Sequence, residues 1–246
     1  MRVPRIIHQT WKDDTSPTRL ASFQAAWRRL HPGWTYRFWT DATTRTFVAE
    51  HFPGFLPIYD GYRTPIMRVD AARYLWMCQF GGVYADLDLE PVRAVDELLD
   101  DGIGAQVTMA SEPPSHCGLH GKPLIVSNAF LASVPHHPAW HDVIALLVAR
   151  HDWADPLAAT GPFLLTDIYL GSPDFRAAVC LLDPVVTSPF DKFAAWAAAD
   201  DPNRGELARL VPRETIAIHH WVGTWWRRPI AASSFATGRT SSRPGA

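Results

Sequence analysis

Two aspartates, Asp86 and Asp88, follow an apolar run and a glycine pair in Gly81-Gly82-Val83-Tyr84-Ala85-Asp86-Leu87-Asp88. Residues two apart in a strand point to the same side, so both carboxylates face one point while Leu87 enters the core. Two close carboxylates repel unless one takes a proton or a cation lies between them. Oxygen ligands favour Mg²⁺ or Mn²⁺, and such ions bridge protein carboxylates to substrate phosphates. The chemistry expected here is therefore metal-assisted handling of a diphosphate. Just upstream, Arg68, Asp70 and Arg73 interrupt an otherwise apolar helical pattern. Asp70 and Arg73, three apart, share a face. Arg offers a rigid fork of donors and Asp accepts hydroxyls, a pair suited to a polyhydroxylated ligand as well as to a plain ion pair.

Alternating strands and helices are predicted to carry these residues. Val3 to Gln9 reads as a buried first strand, Thr18 to Leu30 as a helix with Leu20, Phe23, Trp27 and Leu30 on one face, and Trp34 to Trp39 as a second strand. Pro65 opens a helix that Gly81-Gly82 stops, and Val83 to Ala85 is a short buried strand. Further strands are expected at Gln106 to Ala110 and Ile125 to Leu131, and helices at Ala139 to Arg150, Phe163 to Leu170 and Asp191 to Ala199. Thr215 to His219 is expected to close the sheet. The class is α/β, and ligands in such sheets bind at the carboxyl ends of the strands.

The chain has 246 residues, 47% of them hydrophobic, with 23 basic against 25 acidic side chains. That apolar content excludes general disorder, and the balanced charge excludes broad attraction to nucleic acid, so a phosphate must be met by a few placed groups. Three scattered cysteines (Cys78, Cys117, Cys180) do not suit a disulfide framework, and the start lacks a signal-peptide core. No segment approaches the roughly 20 apolar residues that span a bilayer. A cytoplasmic protein, with room for peripheral attachment to a membrane, is expected. Residues 1–230 read as one domain and 231–246 as a disordered tail.

Pro4-Arg5-Ile6-Ile7-His8-Gln9-Thr10-Trp11, then Arg68-x-Asp70-x-x-Arg73-Tyr74, then the Gly-Gly to Asp88 run together resemble glycosyltransferase family 32. These are sugar-transfer enzymes with a DXD motif that include fungal mannosyltransferases and bacterial polysaccharide-synthesis enzymes. The spacing of Asp70, Arg73, Tyr84, Asp86 and Asp88 is also similar to that of the clostridial glucosylating toxins. The resemblance implies a GT-A fold, a Rossmann-like mixed sheet flanked by helices. It also implies a UDP- or GDP-sugar donor, a sugar or glycoconjugate acceptor, Mn²⁺ or Mg²⁺ as cofactor, and transfer with retention. By residue, Asp88 would bind the metal directly and Asp86 would reach ribose or metal through water. Asp70 and Arg73 would hold the donor sugar and Tyr84 would line its pocket. His8, Gln9, Thr10 and Trp11 would flank the nucleotide. Arg73 would also stabilise the departing diphosphate.

Asn128 in Ser127-Asn128-Ala129-Phe130 and Gly161 in Thr160-Gly161-Pro162 match further family segments near the sugar. In His219-His220-Trp221-Val222-Gly223-Thr224-Trp225-Trp226, Thr224 stands where serine is more usual and Trp225 is expected to face the donor. His220, three before Gly223, is the expected third metal ligand and His219 the expected core histidine; a shift of one residue exchanges them. His116-Cys117-Gly118-Leu119-His120 has zinc-like spacing but no second ligand pair. It is expected in an acceptor-side loop. Gly102-Ile103-Gly104 lacks the setting of a dinucleotide fingerprint. The rival readings are a nucleotide-sugar hydrolase or nucleotidyltransferase, and a tryptophan-lined carbohydrate-binding module built on some of the eleven tryptophans.

Overall fold

A first strand, β1 (Ile6–Thr10), lies between β2 (Thr35–Trp39) and β3 (Gly82–Ala85) and runs parallel to both, with Ile7 opposite Tyr36 and Val83. The helix joining β1 to β2, α1 (Thr18–Leu30), buries Leu20, Phe23, Ala26 and Trp27, the stripe that its spacing predicts. The computed structural model describes residues 2–100, 106–197 and 211–223. Among these, six strands form the main sheet in the order β2-β1-β3-β6-β5-β7, with β5 at Val107–Ser111, β6 at Val126–Ser133 and β7 at Val179–Leu182. Within that sheet only the pairings of β6 with β3 and β5 are antiparallel; β5 and β7 are parallel. The result is the expected GT-A architecture, a mostly parallel mixed sheet flanked by helices.

Between β2 and β3 lie α2 (Asp41–His51), α3 (Leu56–Gly61) and α4 (Pro65–Phe80). Thr40 and Thr43 cap the start of α2 reciprocally, each side chain accepting from the other's backbone N–H. Proline at the first position of α4 costs nothing, because that N–H has no partner within a helix. Almost every residue of α4 from Met67 to Cys78 is buried, so the Asp70 and Arg73 side chains sit inside the protein.

The glycine pair then turns the chain from α4 into β3. Gly81 and Gly82 have φ of +61° and +94°. A Cβ on Gly82 would stand 2.6 Å from the Ile6 carbonyl oxygen, and one on Gly81 2.5 Å from that of Ser133. Both positions therefore require glycine, for left-handed backbone and close approach to neighbouring strands.

Period-two alternation divides the interior. Val83, Ala85, Phe130 and Ala132 face the core beneath α1, whereas Tyr84, Leu131 and Met109 face the core built by α4, α7 (Ala139–Ala149) and α9 (Pro162–Gly171). Here α5 (Asp96–Asp100), α6 (Pro114–Leu119) and α8 (Pro156–Ala159) are shorter connections. Helix α10 (Pro173–Ala178) leads into β7, and α11 (Lys192–Ala197) follows it; the predicted end of that last helix lies outside the described residues. Trp27, Trp76 and Trp140 are core residues as expected, and the indole N–H groups of Trp27 and Trp140 donate to Leu89 O and Ser133 Oγ.

One expectation about the sheet is corrected. The last strand, β8 (Ala217–His219), does not close the main sheet but pairs antiparallel with β4 (Leu89–Pro91), Leu89 opposite His219. β7, a four-residue strand too short to register as a pattern, takes the edge instead. The Ile216 and His219 N–H groups donate to Val186 O and Thr187 O, which hold the segment on the chain that follows β7.

His8 is the second correction. It was expected to flank a nucleotide, yet it is fully buried in a stack between Trp39, Trp76 and Phe80, with ring centroids 6.1 to 6.3 Å away. The Trp39 indole N–H donates to His8 Nδ1 at 3.0 Å, so Nε2 carries the proton and donates to Gly81 O at 3.0 Å. Burial pulls its pKa from 6.5 down to about 3. The unfolded chain therefore takes up a proton below about pH 6.5 that the folded chain refuses, and stability falls as pH drops through that window. Between about pH 7.5 and 5 this one group is expected to cost about 2 kcal/mol. Urea unfolding of wild type and His8→Gln at the two pH values should show a smaller pH dependence in the variant; equal dependence would contradict a neutral buried His8.

Candidate active site

Four elements meet at one edge of the sheet. The segment after β3 brings Asp86 and Asp88, helix α4 brings Asp70 and Arg73, the start of β6 brings Asn128, and the end of β8 brings His219. Arg73 is the hub: its guanidinium lies 2.9 Å from Asp70 Oδ1 and 3.1 Å from Asp86 Oδ1, and donates to Asn128 O at 2.7 Å. Asn128 Nδ2 donates to Asp70 Oδ1 at 2.9 Å, and Thr160 Oγ1 to Asp70 Oδ2 at 3.3 Å. The Tyr84 hydroxyl donates to Asp86 Oδ1 at 2.5 Å, and its ring lies 4.6 Å beneath the Arg73 guanidinium.

Burial pushes the Asp70 pKa up to about 6, with Arg73 opposing the rise and Asp86 adding to it. Burial also raises Asp86, against Arg73 and reinforced by Asp88. Arg73 is itself buried, which works against its charge, but Asp86, Tyr84 and Asp70 outweigh that and keep it firmly protonated. Asp88 behaves oppositely to Asp86: burial would raise it, and the facing His219 imidazole with its hydrogen bond brings it below the ordinary carboxylate range. The Val222 N–H donates to Asp88 Oδ2 at 2.8 Å, and His219 Nε2 stands 3.4 Å from Oδ1.

One oxygen each of Asp86 and Asp88 and one nitrogen of His219 lie within 4.8 Å of one another. The His219 Nδ1 is buried without a hydrogen-bond partner. The two carboxylates and the His219 Nε2 that faces Asp88 form a mixed oxygen and nitrogen donor set that fits a divalent cation. The histidine is not the expected one. His220 turns away, with its Nε2 2.7 Å from Glu90 Oε2 and its ring stacked on Phe23 at 4.8 Å. Because β8 pairs with β4 and not with the main sheet, the side facing the aspartates is set by the Leu89 to His219 pairing, one residue away from the sequence expectation.

The remaining predicted residues are distributed more widely. Gln9 is held at both ends of its amide, donating to Asp86 O at 3.3 Å and accepting from the Tyr36 hydroxyl at 2.6 Å, so it braces the aspartate backbone. Thr10 donates to Trp39 O at 3.0 Å and fastens β1 to β2. Trp11 is half-buried at the rim, packed with Leu20, Phe23, Leu87, Phe38 and Val222. Gly161 sits tightly before α9, where a Cβ would meet Leu157 Cα at 3.0 Å, and its neighbour Thr160 is the residue that reaches Asp70. Trp225 lies outside the described residues. Sequence reasoning missed Thr160 and Tyr36, whose bonds join segments far apart in the chain. His219 it placed in the core, although it shares the same motif as His220.

Residues 17–106, which include the Asp70, Arg73, Asp86 and Asp88 network, match the family model described as a glycosyltransferase sugar-binding region containing a DXD motif. Over these residues the chain is of the DXD-motif glycosyltransferase family 32 type. The chain is 34% identical over 172 residues to inositol phosphoceramide mannosyltransferase 2 of Schizosaccharomyces pombe, covering 68% of this chain and 46% of that protein. It is likewise 34% identical over 172 residues to mannosyl phosphorylinositol ceramide synthase CSH1 of Saccharomyces cerevisiae, covering 68% and 42%. The chain thus spans less than half the length of these curated relatives. Among solved structures, the PaToxG glycosyltransferase is similar in fold, with a TM-score of 0.50 at 14% identity over 85% of this chain and 79% of that one.

Proposed function

We propose that this chain transfers a sugar, mannose by analogy with its fungal relatives, from a nucleotide-diphosphate sugar to an acceptor hydroxyl, with retention at the anomeric carbon. The observation that carries the reading is the convergence of Asp86, Asp88 and His219 beside the Asp70, Arg73 and Asn128 network. The relatives' names suggest an inositol-bearing lipid headgroup as the acceptor class. Residues 1–230 are taken as a single catalytic domain. No helix among the described residues is long and apolar enough to cross a membrane.

In this reading Asp86, Asp88 and His219 hold the divalent ion. When bound, the ion supplies Lewis-acid neutralisation of the leaving diphosphate. Arg73, kept cationic by Asp86 and Asp70, adds a fixed positive charge where negative charge develops. Its Nε–H is buried without a partner, a donor that a ligand oxygen would satisfy. Asp70 accepts, and the Asn128 and Thr160 side chains orient it, so that hydroxyls of the sugar meet a pre-arranged acceptor and not a mobile one. Tyr84 fixes Asp86 by its short hydrogen bond. The bond from the anomeric carbon to the phosphate oxygen breaks and nucleoside diphosphate leaves; a bond to the acceptor oxygen forms, and the acceptor's proton passes to the leaving diphosphate or to water.

Incubation with a panel of UDP- and GDP-sugars, Mn²⁺ and a soluble inositol-phosphate acceptor tests the reading. The expected result is a glycosylated acceptor formed together with nucleoside diphosphate. Nucleotide-sugar cleavage that is unaffected by any acceptor would point to a hydrolase instead, and sugar binding without turnover to a binding module.

A further inference from the structure

The turn that follows β8 is strained. Trp221 has φ of +50°, left-handed backbone that costs a bulky residue about 1–3 kcal/mol. That conformation has two consequences at the site. It sends the Val222 N–H to Asp88 Oδ2, and it folds the Trp221 indole back onto the His219 imidazole, with centroids 3.8 Å apart and planes within 24°. The indole N–H donates to Phe190 O at 3.3 Å.

A second histidine meets the same indole. His116 stands edge-on to Trp221 at 4.6 Å and 80°. The Lys192 N–H donates to His116 Nε2 at 3.0 Å, so its Nδ1 carries the proton and donates to Glu112 Oε2 at 2.9 Å. Both ring nitrogens of His116 are thus engaged within the protein. The His116 side chain is almost wholly buried, and Glu112 follows β5 on the same edge of the sheet as the aspartates.

His219 lacks the usual support of a liganding histidine. A metal-bound imidazole normally donates its other N–H to a carboxylate or carbonyl that fixes the ring. Here Nδ1 has no partner, and the approach of Nε2 to Asp88 is long for a hydrogen bond at 3.4 Å. Face-to-face packing on Trp221 is what sets the plane of the ring. We propose that Trp221, clamped between His219 and the Glu112-bound His116, is the positioning residue that presents His219, and through Val222 also Asp88, to the divalent ion. The inference rests on the metal-dependent reading above.

Mn²⁺ alone, titrated while free Mn²⁺ is followed by electron paramagnetic resonance, separates the two. Glycine accepts the left-handed backbone without strain, so Trp221→Gly removes the indole while keeping the turn. The expected result is a dissociation constant for Mn²⁺ raised by about 10- to 100-fold in Trp221→Gly and about 10-fold in His116→Ala. His116→Gln, whose amide can still pair with both Lys192 N–H and Glu112, should bind close to wild type. Should Trp221→Gly fail to fold by circular dichroism, the His116 pair decides. Wild-type binding with both Trp221→Gly and His116→Ala unchanged overturns the positioning role alone. Wild type that binds no Mn²⁺ overturns the metal reading and this inference with it.

Discussion

Asp88→Asn is expected to lower the initial rate of sugar transfer by about a thousandfold at saturating donor and Mn²⁺. The asparagine keeps the size of the side chain and an oxygen for the Val222 N–H, which now bonds Asp88 Oδ2 at 2.8 Å. It removes the one carboxylate of the motif that its surroundings hold in the charged form, through the facing His219. Stability should change far less than rate, because His219, whose proton Asp88 helps to hold, can release it once the carboxylate is gone. A variant that retains more than a tenth of the wild-type rate would show that Asp88 is no metal ligand.

Arg73→Leu has the largest expected effect on stability. The side chain is 3% exposed and joins Asp70, Asp86 and the Asn128 carbonyl, so leucine leaves Asp70, itself 7% exposed, as a buried carboxylate beside a second one. Removing one partner of such a buried set costs about 3–5 kcal/mol. Urea unfolding at neutral pH measures it. Adding Asp70→Asn to Arg73→Leu should recover part of the loss, since the repulsion it relieves exists only once the guanidinium is gone. Strict additivity of the two substitutions would contradict a shared network.

Much of this arrangement was legible in the chain. Helix α1 occupies Thr18–Leu30 as its apolar spacing requires, and the interruption of an apolar helix by Asp70 and Arg73 correctly signalled charges that need partners inside. Arg68, read together with them, instead lies toward the helix start and donates to Tyr62 O at 3.0 Å. The errors have a common origin in contacts between distant segments. His8 reads as polar and site-lining after two isoleucines, but Trp39, Trp76 and Phe80, from other elements, close over it. The choice between His219 and His220 depends on which strand pairs with β8, and the β4 partner is only three residues long. Thr160 stands in the Thr160-Gly161-Pro162 segment, but its bond to Asp70 spans 90 residues and no local spacing announces it.

The most direct measurement is the thermal unfolding of wild type and Asp88→Asn with nucleotide sugars, in Mn²⁺ and in EDTA. A cognate donor at about 100 times its dissociation constant stabilises the fold by about 2.7 kcal/mol. This shift is expected for wild type in Mn²⁺, and is expected to be lost both in EDTA and in Asp88→Asn. A donor-induced shift that persists undiminished in EDTA and in Asp88→Asn, or no shift with any nucleotide sugar, would contradict metal-dependent donor binding.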